Sequence, residues 1–428
     1  MIDLGHLLLQ LVVILVTARL VGRAFRIIGQ PQVIGEMAAG LALGPSLLGF
    51  VRPEAVAWLF PPDSLAPLTA LSQLGVLLFM FVVGLRLDLQ LLRGRARAAV
   101  FTSNASIALP IAMGAALAPW LHSSLAPDGV PLLPFALFLG AAMSVTAFPV
   151  LARILTERGL LGTRIGSVAI AAAAVDDVTA WCILAAVVAV ARSAPEATSI
   201  AWREFLVTIV SSGTYVVLAA TAGRRLLARL DRELARRGIL MSAQLVSGAI
   251  ILALASAWVT ERLGIHALFG AFLAGTVMPR TSMNGAPSAA RQIADRMEDV
   301  VGAVFLPVFF ALTGLRTSVG LLDGPGLWAA CAAIFAIAVS GKLGGSAVAA
   351  RLAGMSWRDA LSIGALMNTR GLMELVILNV GLEIGVISPA LFTMMVLMAL
   401  ATTVMTSPLL LLLLRDEPSP AALQPNES

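Results

Sequence analysis

The sequence predicts an all-α fold: a polytopic membrane protein of about thirteen transmembrane helices, built as two inverted-topology repeats with one broken helix in each. Three observations predict it. The composition is too apolar for a water-soluble core, apolar runs of spanning length recur along the chain, and matching motifs and helix breaks return in its second half. Of 428 residues, 59% are hydrophobic and 12% charged, with a mean hydropathy of +0.94; soluble domains carry roughly 25% charge. That much apolar side chain must face lipid.

A spanning helix needs roughly 20 mostly apolar residues. Reading apolar runs between charged or Pro/Gly-rich breaks places segments at roughly 4–25, 31–50, 65–85, 96–120, 131–153, 163–191 and 202–223, then 239–260, 264–279, 297–315, 326–350, 357–383 and 387–414. The first run begins behind Met1-Ile2-Asp3 without a basic leader or small-residue cleavage site, so it is expected to be a retained helix. The tail at 415–428, with Pro418, Pro420 and Pro425, is expected to be disordered. Cys182 and Cys331 lie in apolar runs and are expected to pack rather than to react.

The sequence pI near 10.4 does not point to nucleic acid, because the arginines are dispersed through short connections. Most fall on one side, including Arg224, Arg225, Arg229, Arg232, Arg236 and Arg237. The positive-inside rule makes that side cytoplasmic, with the N-terminus outside and the C-terminus inside. A bacterial inner membrane is the expected location.

The third segment ends in Gly84-Leu85-Arg86 and the tenth in Gly314-Leu315-Arg316, each behind a Phe-rich stretch. Gly35–Gly40 of the second segment loosely matches Gly270–Gly275 of the ninth. Both pairs are seven segments apart, and an odd offset reverses the direction of crossing. Inverted repeats of this kind mark secondary transporters.

An ionised side chain at bilayer depth costs at least about 2.5–3.5 kcal/mol, so each needs a partner or a function. The sixth segment carries Asp176-Asp177 near mid-span. Adjacent helical residues point about 100° apart, so the two carboxylates address different surroundings. The eleventh carries Lys342, the only lysine among 29 basic side chains. Lysine is the basic residue whose protonation responds most to burial, which suggests a proton meant to leave. In the twelfth, Arg370 and Glu374 stand at i,i+4 spacing and read as a structural ion pair. Glu36 lies near a segment end, where interfacial water would reach it; it is a minor candidate.

Two segments look interrupted. Pro149 in Ser144-Val145-Thr146-Ala147-Phe148-Pro149 removes a backbone donor and clashes with the preceding turn. Asn368-Thr369-Arg370-Gly371 lies seven segments further on. Interrupted helices at matching places in two halves point to an ion site at the midplane. Together with the buried charges, they indicate a transporter rather than an enzyme. A channel is disfavoured by the lack of a repeated carbonyl-filter sequence, and an intramembrane aspartyl protease by carboxylates that are adjacent rather than facing.

The stretches Ser144–Leu155, Ala171–Trp181, Gly264–Gly275, Leu306–Thr317 and Met367–Pro408 resemble the monovalent cation:proton antiporter-2 family, the last being very similar to its plant-type exchanger branch. The resemblance implies that the two broken helices cross. It also implies a cation and proton site of Asp177, Asp176, Thr146, Ser144 and Lys342, with a monovalent cation at Asp177, Asp176 and Thr146. Asp177 would be the main carboxylate, and Asp176 would pair with Lys342. Arg370, Glu374, Asn368, Thr369 and Pro149 would support the site structurally.

The resemblance further implies a dimerisation domain (1–90 and 239–320), a core domain (95–192 and 325–414) and a linker (202–237). Exchange of sodium or potassium for protons, electrogenic because of the paired aspartates, and a homodimer would follow, with no cofactor and no nucleic-acid partner. The alternative is a potassium-efflux, channel-like transporter without its regulatory domain, for which the chain after the last segment is too short.

Overall fold

The computed structural model describes residues 4–86, 96–158, 160, 163–193, 207, 210, 211, 213–236, 243–263, 267–280 and 288–414. Among these, all regular structure is helical. The helices are α1 (Leu4–Ile27), α2 (Gln32–Leu43), α3 (Leu48–Val51), α4 (Pro53–Leu59), α5 (Leu65–Arg86), α6 (Ala96–Leu125), α7 (Leu132–Ser144), α8 (Phe148–Glu157), α9 (Arg164–Ser193) and α10 (Arg224–Arg236). They continue with α11 (Ala243–Arg262), α12 (Ala267–Val277), α13 (Ala289–Val300), α14 (Leu306–Arg316), α15 (Pro325–Val339), α16 (Gly345–Leu352), α17 (Trp357–Met367), α18 (Leu372–Glu383) and α19 (Pro389–Leu413). Of the seventh predicted segment, 202–223, residues 207, 210, 211 and 213–223 are described and helical, ending in a π-helical turn at Ala219–Gly223; the tail beyond Leu414 lies outside the described residues.

Among the described residues, eight helical stretches are long and apolar enough to cross a membrane, or up to nine if the bent pair α17 and α18 is one span. α7 and α12 are shorter apolar helices. The surface chemistry is that of a lipid-facing protein. On α1, Leu8, Val12, Val16 and Leu20 form an exposed stripe at i,i+4 spacing, whereas Gln10 and Ile14 are buried. Apolar outside and polar inside reverses the soluble amphipathic pattern. Neither cysteine is disulfide-bonded; Cys182 is exposed and Cys331 half-buried, so only the second has the packing expected of both.

The chain forms two compact units. The first comprises 1–17, 40–88 and 185–315, and glycine contacts organise it. A Cβ on Gly314 would lie 1.9 Å from the carbonyl carbon of Gly40, and one on Gly40 would lie 2.1 Å from Phe310 O. A Cβ on Gly84 would lie 2.3 Å from Phe272 O, and one on Gly275 2.2 Å from Phe81 O. The backbones of α2 and α14, and of α5 and α12, therefore touch, as small residues permit in membranes. Leu43, Leu59, Leu68, Val308 and Leu312 close a buried apolar cluster in this unit.

The second unit comprises 18–39, 89–184 and 316–428. Its core gathers α8, the start of α9, α17 and the end of α19, through residues such as Leu151, Ile154, Ala169, Ile363, Leu366 and Leu410. α7 packs on α6 where Gly140 meets Ile111; a Cβ on Gly140 would lie 2.8 Å from Ile111 O. Both predicted breaks are present in this unit. Val145, Thr146 and Ala147 separate α7 from α8, and residues 368–371 separate α17 from α18, which are bent by 43°. Pro149 falls in the first turn of α8, where no N–H is needed, so it starts the second half-helix rather than kinking a continuous one.

Candidate functional site

The two breaks meet. Ala147 N donates to Thr369 O (3.0 Å), and Thr146 Oγ1 lies 3.1 Å from Met367 O, so backbone groups freed by one interruption are satisfied by the other. Asp176, from the middle of α9, reaches this crossing with no solvent exposure. Its Oδ1 accepts from Ser103 Oγ (2.5 Å). Its Oδ2 accepts from Ser106 Oγ (2.8 Å) and Lys342 Nζ (2.8 Å), and shares the Thr146 hydroxyl proton (2.7 Å) with Met367 O.

Lys342 sits in a π-helical turn, Ser340–Gly344, between α15 and α16. Such a turn re-aims one side chain and recurs at functional positions. The ammonium is fully buried. Besides Asp176 it donates to Ser144 O and lies 3.2 Å from Ser106 O and 3.3 Å from Ser106 Oγ. Three ammonium protons thus meet a cage of oxygens, a coordination that a desolvated cation needs.

The end of α7 supplies part of that cage. The last four carbonyls of a helix have no partner inside it, and here each finds a side chain. Ala141 O accepts from Ser144 Oγ (2.7 Å), Ala142 O and Met143 O from Arg370 (3.2 and 2.6 Å), and Ser144 O from Lys342. Ser144 therefore contributes its carbonyl to the site, while its hydroxyl turns back into its own helix. Two cations also neutralise the negative end of the half-helix dipole.

Arg370 pairs with Glu374 (3.1 Å), both fully buried, and Glu374 lies in the first turn of α18, where an acid is favoured. Thr403 of α19 staples the second break, accepting from Arg370 N (2.9 Å) and lying 2.7 Å from Arg370 O. Asn368 is held by Met405 Sδ, and Thr369 is fully buried. The side chains of Asp177 and Pro149 lie outside the described residues. Glu36 is not open to interfacial water: it is 7% exposed and accepts from Gln32 Nε2 (2.9 Å), whose Oε1 accepts from Arg26.

Sequence reasoning missed Ser103 and Ser106. Their signal is a pair of hydroxyls at i,i+3 spacing within the small polar stretch Thr102-Ser103-Asn104-Ala105-Ser106 of a membrane segment, which places both on one helix face.

Residues 12–412 match the family model for the transmembrane region of sodium/hydrogen exchangers. The chain is 42% identical over 416 residues to the Na+/H+ antiporter NhaS4 of Synechocystis, covering 97% of this chain and 98% of that one. It is 37% identical to the cation/H+ antiporter 17 of Arabidopsis thaliana, matching 95% of this chain but spanning 48% of that protein's length. The solved structure of the sodium proton antiporter MjNhaP1 from Methanocaldococcus jannaschii superposes with a TM-score of 0.65 at 14% identity, covering 97% of this chain and 98% of that one, and shows the same fold. The chain belongs to the sodium/hydrogen exchanger family of transmembrane proteins.

Proposed function

We propose that this chain is a secondary antiporter that exchanges a monovalent cation, sodium or potassium, for protons by alternating access. The observation that carries this reading is the fully buried Asp176–Lys342 pair at the crossing of two broken helices. A buried ion pair is expensive in a membrane and gives little net stability, so its position calls for a function. The oxygens that hold the ammonium are hard ligands of the kind alkali cations use. Cation and proton compete for the same carboxylates, with Asp177 the main one, and the loaded protein crosses with one or the other. Obligatory exchange follows from that competition.

Paired aspartates with a lysine support an electrogenic cycle of two protons against one cation. The domain division is that of the sequence reading: a dimerisation domain at 1–90 and 239–320, a moving core at 95–192 and 325–414, a linker at 202–237, and homodimers. Two inverted repeats are supported by the glycine crossings, because the motifs that match in sequence pair reciprocally: Gly40 with Gly314, and Gly275 with Gly84. Counting the short apolar helices and the segment at 202–223 gives about thirteen crossings, with the N-terminus outside and the arginine-rich side in the cytoplasm of a bacterial inner membrane. The test is exchange in proteoliposomes under an imposed pH gradient, adding lithium, sodium, potassium and rubidium in turn. A proton flux that does not depend on any of them sinks the reading.

A further inference from the structure

Helical hydroxyls in this protein usually satisfy themselves by donating to a carbonyl three or four residues back, as do Thr179, Ser340, Ser362, Thr402 and Thr403. Three buried hydroxyls make no hydrogen bond among the described residues: Thr102, Ser346 and Thr369. Thr369 lies in the broken-helix crossing. Thr102 and Ser346 do not belong to the site described above, and both are 0% exposed.

They share one interface. α6 and α16 run side by side: a Cβ on Gly345 would lie 3.1 Å from Ala105 O, and one on Gly341 3.3 Å from Pro110 Cα. As the residue number rises along one helix it falls along the other, so the two are antiparallel. Lys342 meets Ser106 at the same interface. Thr102 is one turn before Ser106 on the α6 stripe that contains Ala105, Ser106 and Leu109, and Ser346 is about one turn beyond Lys342, next to Gly345. The pair thus stands one turn away from Lys342, displaced towards the end where α6 begins and α16 finishes. Each helix has six residues left there, about 9 Å at 1.5 Å per residue.

A buried hydroxyl without a partner is costly, and two of them on adjoining helices, each about one turn from the Lys342–Ser106 contact, make a place where water is held by polar groups. We propose that Thr102 and Ser346, with water between them, relay protons from the Lys342–Ser106 end of the site to the membrane face at which α6 begins, on a path separate from the cation's. Each hydroxyl accepts a proton on a lone pair and passes its own onward. The net result is one proton moved from Nζ to solvent, with no bond to carbon changed. This inference rests on the exchange reading above.

The test uses the full chain in proteoliposomes, with sodium and potassium each as the driving cation. In Thr102→Val/Ser346→Ala, cation-driven proton flux at saturating cation should fall about tenfold or more, with an unchanged apparent KM and a larger solvent deuterium isotope effect. Thr102→Ser, which keeps the hydroxyl, should stay at the parent rate. The melting temperature in detergent should hold, since the double variant breaks no hydrogen bond between protein groups. Parental flux and isotope effect in the double variant overturn the relay, and so does a loss of flux accompanied by lower stability or weaker cation affinity. A parent with no cation-dependent proton flux overturns the exchange reading instead, which is a separate result.

Discussion

Lys342, from the π-helical turn between α15 and α16, and Arg370, from the break between α17 and α18, cap consecutive carbonyls of one half-helix: Arg370 takes Ala142 O and Met143 O, and Lys342 takes Ser144 O. The end of α7 thus carries two buried cations with different counter-ions, Asp176 for one and Glu374 for the other. One of these cations can lose its charge by releasing a proton and the other cannot, because guanidinium stays protonated in proteins. Under the exchange proposed above, the arrangement would divide labour between a fixed cap and a switchable one.

Removing the fixed cap should cost stability before it costs selectivity. Arg370→Ala leaves Glu374 buried without its partner and uncaps two carbonyls, a loss of about 3–5 kcal/mol for a broken buried pair. Its melting temperature in detergent should drop clearly, with Glu374→Gln losing less because an amide still accepts from Arg370. A stable Arg370→Ala protein with weakened apparent cation affinity would place the arginine in the binding site instead.

The two aspartates should respond differently to the same conservative change. Asp176 accepts from Ser103, Ser106, Thr146 and Lys342, so Asp176→Asn strips the lysine of its counter-ion and should lower the melting temperature. Asp177→Asn removes a titratable group at nearly constant volume; it should abolish exchange and leave folding intact. Near-normal dequenching of a proton dye by the purified Asp177→Asn protein would sink its assignment as the main carboxylate.

The glycine crossings give a structural prediction with an internal control. Gly314→Ala would place a methyl 1.9 Å from the carbonyl carbon of Gly40, whereas a Cβ on Gly302 of the turn preceding α14 meets nothing within 4 Å. Overpacking of this kind costs about 1–3 kcal/mol or more. Gly314→Ala and Gly84→Ala should both lower the melting temperature, and Gly302→Ala should not. Equal stability of all three would mean that α2 separates easily from α14, and α5 from α12.

What could be read from the sequence follows from how strongly each feature is penalised. Asp176 and Lys342 stood out because charge at membrane depth is costly, and the first break because Pro149 forbids a continuous ladder. Arg370 and Glu374 were visible as neighbours on one helix, but i,i+4 spacing says nothing about the arginine's reach to Ala142 and Met143, which depends on how two breaks cross. Ser103 and Ser106 were overlooked because a hydroxyl satisfies itself cheaply in any membrane helix, so its type carries little signal until a partner is seen. Glu36 was misjudged for a related reason: position in a segment indicates depth, not the Gln32 and Arg26 that enclose it.

If the second proton of the cycle comes from Lys342, then removing the ammonium should change the charge moved per cycle and not only its rate. Lys342→Gln leaves Asp176 without its cation but keeps an amide that can donate to Asp176 and to Ser144 O, so it is a better choice than alanine for retaining the fold. It should convert electrogenic exchange towards electroneutral exchange. Lys342→Arg should keep the ion pair and the cap on α7 while releasing protons poorly, and so should fold well and transport slowly. The measurement is exchange under a membrane potential set by valinomycin, with sodium as the driven cation to keep potassium free for the clamp. If parent and Lys342→Gln show the same voltage dependence, the lysine is a structural cap and the second proton has another source.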